Sequence, residues 1–197
     1  AENGKEIMSM SELIKTFRLE NVVSAAANFD FGRLKWVNQK HLTQMSNDAL
    51  AEKIVEISPE TNHVEKGRLI LAIDLVKERA ETLLDFWRLM KYLFYAPEVF
   101  EEKAIVKLSE KSKAILEQGE KIACASENTS MLNEGEGFID ACLGWCTENN
   151  IKTGQLMMTF RIAFVGGLHG IDLKKIVSFI GLKETCARLK RLNKLLG

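Results

Sequence analysis

Apolar positions along this chain recur at three- and four-residue intervals, the spacing that gathers side chains on one face of an α-helix. Ser9-Met10-Ser11-Glu12 has the form of a capping box and opens a short helix through Phe17. Leu19 to Asn28 is mixed and reads as irregular. Asp30 is placed to cap a helix through about Met45, with Leu34, Val37 and His41 on one face. Asn47-Asp48 starts the next, where Leu50, Ile54 and Ile57 repeat until Ser58-Pro59 stops it. Val64 to Arg79 is apolar on most sides, the mark of a centrally buried helix. Thr82 to Phe94 continues with Leu83, Phe86, Trp87, Met90 and Leu93 and ends before Ala96-Pro97.

The second half reads the same way. Glu101 to Cys124 carries a sparser stripe of Ile105, Leu108, Ile115 and Ile122. Asn128 to Gly137, rich in Asn, Ser, Glu and Gly, is the best internal linker. Phe138, Cys142, Trp145 and Cys146 then form a helical face closed by Asn149-Asn150. Gln155 to Val165 follows, broken by Gly166-Gly167. Asp172 caps a helix to Ile180 with Gly181 at its end. The last helix runs from Lys183 to about Leu195, with Cys186, Leu189 and Leu192 inward and its lysines and arginines outward. The expected fold is all-α, two successive helical clusters hinged near residues 126–137.

Composition changes this picture little until charge is read by position. With 46% apolar and 27% charged residues over 197 positions, the chain has the balance of a soluble globular protein. No stretch approaches a membrane span, and the first twenty residues lack the apolar core of a signal peptide. Cys124, Cys142, Cys146 and Cys186 are few for this length, so reduced thiols in a cytosol are expected. The net charge is zero, which argues against a uniformly basic nucleic-acid binder. From Ile151 onward, however, nine basic residues face only Asp172 and Glu184, a local charge of +7. One end of the chain therefore favours a polyanion, although a solvated C-terminal helix would produce the same count.

Few residues suggest reaction chemistry. His41, His63 and His169 lie far apart, with no Cys or carboxylate at zinc spacing. Cys142 and Cys146 share a helix face and read as packing rather than as half a metal site. Nucleophile elbow, phosphate-binding loop and dinucleotide fingerprint are all absent. Gly166-Gly167-Leu168-His169-Gly170 is the glycine-rich loop. It would let a backbone approach a ligand closely, and Asp172 opens the helix after it, where N-terminal amides attract anions. A tight helix–helix turn is the plainer alternative.

Two stretches carry a family resemblance. Phe29-Asp30-Phe31-Gly32-Arg33-Leu34-Lys35-Trp36-Val37-Asn38 is similar to the segment by which bacterial-type glutamyl-tRNA synthetases leave their catalytic half. Phe160-Arg161-Ile162-Ala163-Phe164-Val165-Gly166-Gly167, with Leu173 to Gly181 and Ala187-Arg188-Leu189, resembles that family's C-terminal ending. Arg79 through Phe94, ending Tyr92-Leu93-Phe94, resembles its central helices, and the order of the three matches.

The resemblance implies an anticodon-binding helical cage in three parts. These are a stem-contact remnant over 1–28 and helical subdomains over 29–126 and 127–197. Such proteins load glutamate onto tRNA with ATP through His-Ile-Gly-His-type and Lys-Met-Ser-Lys-Ser-type signatures. Ser109-Glu110-Lys111-Ser112-Lys113 only echoes the second, and Leu168-His169-Gly170 does not replace the first. The resemblance therefore implies a non-catalytic portion without ATP, magnesium or other cofactor, cytoplasmic and monomeric, whose partner is the anticodon loop of glutamate tRNA. By the same pattern Arg79, Arg161, Gly170 and Leu173 contact the anticodon, while the charge of Lys174 and Lys175 would attract phosphate. An arginine suits that work because its planar fork pairs with a base edge, bridges phosphate or stacks on an unstacked base.

This sequence departs from the pattern at Thr159-Phe160, at Val165 and at Gly170, where the family often has Pro-Leu, Thr, and a hydroxyl residue or Pro. Base contacts at Gly170 would then run through backbone. The rival reading is a helical protein-interaction module whose grooves bind partner helices.

Overall fold

The computed structural model describes residues 6–22, 28–126 and 135–196, and within them the chain is all-α. The helices are α1 (Met10–Thr16), α2 (Phe31–Gln44), α3 (Asn47–Ile57), α4 (Lys66–Val76), α5 (Leu83–Phe94), α6 (Glu102–Ile105), α7 (Glu110–Ser126), α8 (Glu136–Glu148), α9 (Thr153–Val165) and α10 (Leu173–Leu195). Contacts divide them into two compact units, Ala1–Arg88 and Leu89–Gly197. This division falls inside α5 and differs from the expected hinge near 126–137, of which 127–134 lies outside the described residues. The physical reason is that α7 packs along α8, α9 and α10, so its apolar stripe belongs to the second unit.

Unit 1 begins at its caps. Ser9 and Glu12 complete the capping box of α1. Asp30 accepts from the amide of Arg33 at 3.0 Å, and Ser46 from that of Ala49 at 3.2 Å. The core is built by Leu42 on α2, Leu50, Ala51 and Ile54 on α3, and Leu69, Ala72, Ile73 and Val76 on α4. α4 is central, yet not buried all round: Leu71 is 62% exposed. The chain then turns through a 3-10 segment, Lys77–Arg79, before α5. Asp85 starts α5 by accepting from the amide and hydroxyl of Thr82, both at 2.9 Å. Burial pushes its carboxyl up, but Thr82 and Arg88 bring it below the usual carboxylate range.

Unit 2 is organised around α10, which lies against α7, α8 and α9. Phe138 on α8 stacks on Phe160 of α9, their centroids 5.6 Å apart, and Phe160 meets Phe164 at 5.5 Å. The stretch Glu101–Cys124, expected as one helix, is two: α6 ends and α7 restarts where buried Ser112 accepts from the amide of Ser109 at 3.2 Å. α10 is kinked at Gly181, whose φ of 79° and ψ of 164° end the first half at the residue the sequence marks.

Two expectations about unit 2 are corrected. Cys124 on α7 and Cys186 on α10 face each other with Cα atoms 6.2 Å apart, within reach of a disulfide, where four separate thiols were expected. Sixty-two residues separate them, and only the packing of α7 on α10 brings them within reach. Arg188, expected outward with the other basic residues of α10, is 1% exposed. It lies on the face that carries Thr185, Leu189 and Leu192, because residues three and four apart share a helix side.

Cys142 and Cys146 are free and buried. Burial pushes the Cys142 thiol up to about 12, with the neighbouring Cys146 adding to it. A thiol that stays protonated in the fold but ionises near its ordinary value of 9.0 when unfolded makes the unfolded state release its proton first. Stability from this residue is therefore constant below about pH 9 and falls from there toward pH 12. A Cys142→Ala variant should lose less stability than the parent across that window, measured by urea denaturation. Equal slopes would mean that the thiol is not shielded.

Candidate nucleic-acid interface

The residues singled out from the sequence fall on two supports, one in each unit. In unit 1, Arg79 ends the 3-10 segment after α4 and is exposed. That turn is pinned from α2 and the residue following it. Gln39 donates to the carbonyl of Glu78 at 2.6 Å and Asn38 to that of Glu81 at 2.6 Å. Lys35 pairs with the Glu81 carboxylate at 3.4 Å. Lys77, beside them, donates to the carbonyl of Met45 and to Asn47. The guanidinium of Arg79 thus leaves a backbone held by several side chains rather than a loose connection.

In unit 2 the support is the loop between α9 and α10. α9 ends on Gly166, with φ 84° and ψ 1°, whose amide donates to the Ile162 carbonyl at 2.9 Å. The Gly166 carbonyl in turn accepts from the amide of Glu101 at 2.8 Å. At the other end, buried Ile171 is held at both polar atoms. Its N–H donates to the Tyr92 hydroxyl at 3.1 Å, and its carbonyl accepts from Arg161 Nη1 at 2.8 Å. Gly170 lies against both: a Cβ there would stand 3.2 Å from Arg161 Nη1 and 3.5 Å from the Tyr92 hydroxyl. His169 is exposed between them.

The structure therefore brings Arg161 and Gly170 together, and adds Tyr92, which the sequence reading contained only as part of a motif. The available signal was an aromatic with a polar tip beside the apolar stripe of its helix, a residue that needs a partner when buried.

Two other expectations meet obstacles. Leu173 is 2% exposed and belongs to the core, so its side chain is not presented for packing on a base. Its backbone instead starts α10. The amides of Lys174 and Lys175 donate to Asp172 Oδ1, at 2.8 and 3.4 Å. A carboxylate already occupies that helix start, which makes it a poor anion site.

Charge is also redistributed. Of the nine basic residues after Ile151, Arg188 is buried on Glu184, Arg161 is half-buried on Ile171, and Lys174 pairs with Asp140 at 2.8 Å. The Asp140 hydrogen bond holds the Lys174 ammonium above its ordinary range. Lys152, Lys175, Lys183, Lys190, Arg191 and Lys194 are exposed. The polyanion-facing charge is thus carried by fewer residues than the sequence count implies.

Elsewhere, an open apolar groove of about 910 Å³ runs along α1, lined by Met8, Leu13, Ile14, Phe17 and Val22 with Arg18 at its edge. Among the described residues no three His, Cys, Asp or Glu side chains come together as a metal site. No helix among them is long and apolar enough to cross a membrane.

Comparison with known proteins gives the family. A family model described as the anticodon binding domain matches residues 35–193, most of the chain. A glutamate–tRNA ligase of Flavobacterium johnsoniae is 33% identical over 193 residues, covering 95% of this chain and 37% of the relative. A glutamate–tRNA ligase of Nitratidesulfovibrio vulgaris is 31% identical over 196 residues, covering 97% and 41%. Among solved structures, a glutamate tRNA ligase from Elizabethkingia meningosepticum in complex with its amino acid superposes with a TM-score of 0.84 at 31% identity. That match covers 99% of this chain and 38% of the other. The chain thus spans under half the length of the relatives it matches. It belongs to the anticodon binding domain family.

Proposed function

We propose, from that membership, that this chain is the portion of a glutamate–tRNA ligase that recognises the anticodon loop of glutamate tRNA. The match to the anticodon binding domain over residues 35–193 carries the reading. The geometry supports it in a specific way. Arg79 leaves a turn that Gln39 holds in place, and Arg161 leaves helix α9 with its fork set on the Ile171 carbonyl, and a placed guanidinium suits base and phosphate recognition. Single-stranded bases splayed from a loop offer edges and faces for such groups.

Catalysis belongs, in this reading, to the remainder of the ligase, together with its ATP and magnesium. This portion is monomeric, works in the cytosol and needs no cofactor. Gly170 would meet the RNA through backbone, and Lys175 would supply phosphate attraction. Leu173 contributes only its backbone, since its side chain is buried.

The test is binding to a glutamate-tRNA anticodon stem-loop and to a scrambled loop, each across a salt series. The cognate loop should bind more tightly, with affinity falling steeply as salt rises. Arg79→Ala and Arg161→Ala should each cost about 1–3 kcal/mol on the cognate loop. Lys175→Ala should weaken both loops alike and reduce the salt slope by about 0.7. Equal binding of both loops, untouched by either arginine change, would overturn the anticodon reading and leave only a basic surface.

A further inference from the structure

We infer that Tyr92 is a positioning residue for anticodon recognition, acting through the peptide of Ile171. This rests on the anticodon-loop reading above and adds to it a residue that need not touch RNA.

Tyr92 is anchored at one end and reaches the loop with the other. Its carbonyl accepts from buried Arg188 Nη1 at 2.6 Å, while its hydroxyl accepts from the Ile171 amide at 3.1 Å. The residue is 7% exposed and Ile171 is 3% exposed, so water does not readily replace the bond. On the opposite side of the same residue, Arg161 Nη1 donates to the Ile171 carbonyl at 2.8 Å. A residue gripped at both its polar atoms has little freedom.

Position in the chain gives that grip its consequence. Ile171 follows Gly170 and precedes Asp172, the cap of α10, so it stands between the glycine loop and the helix that displays Lys175. Gly170 has no side chain of its own to place the loop. Tyr92, 79 residues away from Ile171, holds the next peptide from α5. It also sets where the Arg161 fork lies, because both bonds end on Ile171. If the tyrosine is the restraint, removing its hydroxyl alone loosens the loop while ring packing and net charge are unchanged.

Tyr92→Phe in the full chain tests this with two readouts, both taken where circular dichroism shows parent and variant fully folded. Amide hydrogen exchange of the RNA-free protein should quicken at Ile171 and Gly170 and not elsewhere in α9 or α10. Affinity for the cognate anticodon stem-loop should fall about threefold to tenfold, the fold-change expected of one buried hydrogen bond. The preference over the scrambled loop should shrink with it. The salt slope should be that of the parent, since no phosphate contact is removed. A variant that only destabilised the fold would lose cognate and scrambled binding in proportion.

Unchanged exchange at Ile171 would overturn the restraint itself. Faster exchange with loop preference intact would overturn the positioning role. If the parent chain does not prefer the cognate loop, the anticodon reading fails and this role with it. The exchange measurement then still decides separately whether Tyr92 holds the loop.

Discussion

Arg188→Met should destabilise unit 2 by about 3–5 kcal/mol, the range expected when one member of a buried charged network is removed. The guanidinium is 1% exposed. Its Nε donates to Glu184 at 2.8 Å, and its Nη1 donates to the carbonyls of Tyr92 and Phe164 at 2.6 and 2.9 Å. Those carbonyls lie in the last turns of α5 and α9, where helix carbonyls lack intrahelical donors and carry partial negative charge. One fork thus closes two helix ends against α10.

Burial lowers the Arg188 pKa from its ordinary value, and Glu184 opposes that shift. An arginine is effectively always protonated, so the residue is a cation paired with Glu184 inside the core. Methionine keeps much of the stem volume but donates nothing. Glu184 is 41% exposed and can turn to water, whereas the two carbonyls are buried backbone and lose the Arg188 donor. Lysine should recover part of the loss, since an ammonium is a point donor and cannot reproduce the fork. Urea denaturation of Arg188→Met, Arg188→Lys and the exposed neighbour Lys190→Ala reads this directly. The Lys190 change should stay within about 0.5 kcal/mol. A methionine variant within 1 kcal/mol of the parent would mean that the network contributes little.

The same residue marks the limit of what could be read from the chain. Helix starts were legible because a capping side chain and its amide sit two or three positions apart: Ser9, Asp30 and Asp172 all bond where expected. The kink at Gly181 was legible for a similar reason, since a lone glycine between two periodic stretches leaves few alternatives.

Arg188 bonds across 24 and 96 residues, and no local pattern separates it from Arg191, which is exposed three positions on. The Cys124–Cys186 pairing was hidden in the same way. The division inside α5 has no local signal, since a polar linker is visible in sequence whereas the packing of α7 on α10 is not. For the candidate interface, the family pattern supplied Arg161 and Gly170 but gave no reason for their adjacency. Leu173, taken from the same pattern, turned out to be core, because a helix's first residue can face inward as easily as outward.

Gly166→Ala should cost about 2–5 kcal/mol, from a left-handed backbone and a crowded site together. Gly166 has φ 84°, in the left-handed region, where a Cβ costs roughly 1–2 kcal/mol. A Cβ there would also lie 2.9 Å from Pro97 Cβ and 2.9 Å from the Val99 carbonyl oxygen. One of those atoms is backbone, so the 97–101 segment must shift, and overpacking of this kind costs about 1–3 kcal/mol. Gly181 has φ 79° and ψ 164°, a different and essentially glycine-only region, and meets nothing within 4 Å, so Gly181→Ala reports the strain of that region alone. Gly144 lies within α8 with neither strain nor neighbours, and Gly144→Ala should stabilise by up to about 1 kcal/mol.

The excess of Gly166→Ala over the roughly 1–2 kcal/mol of its left-handed backbone, read from urea denaturation, therefore measures how firmly residues 97–101 are held against the start of the loop. That firmness bears on recognition, because the Glu101 amide bonds the Gly166 carbonyl at one end of the loop whose other end Tyr92 and Arg161 grip. A large excess means that the loop is fixed at both ends and that Gly170 and His169 are displayed from a rigid frame. If Gly166→Ala costs no more than that backbone strain, the 97–101 segment yields freely, and the loop's order rests on the Ile171 clamp alone.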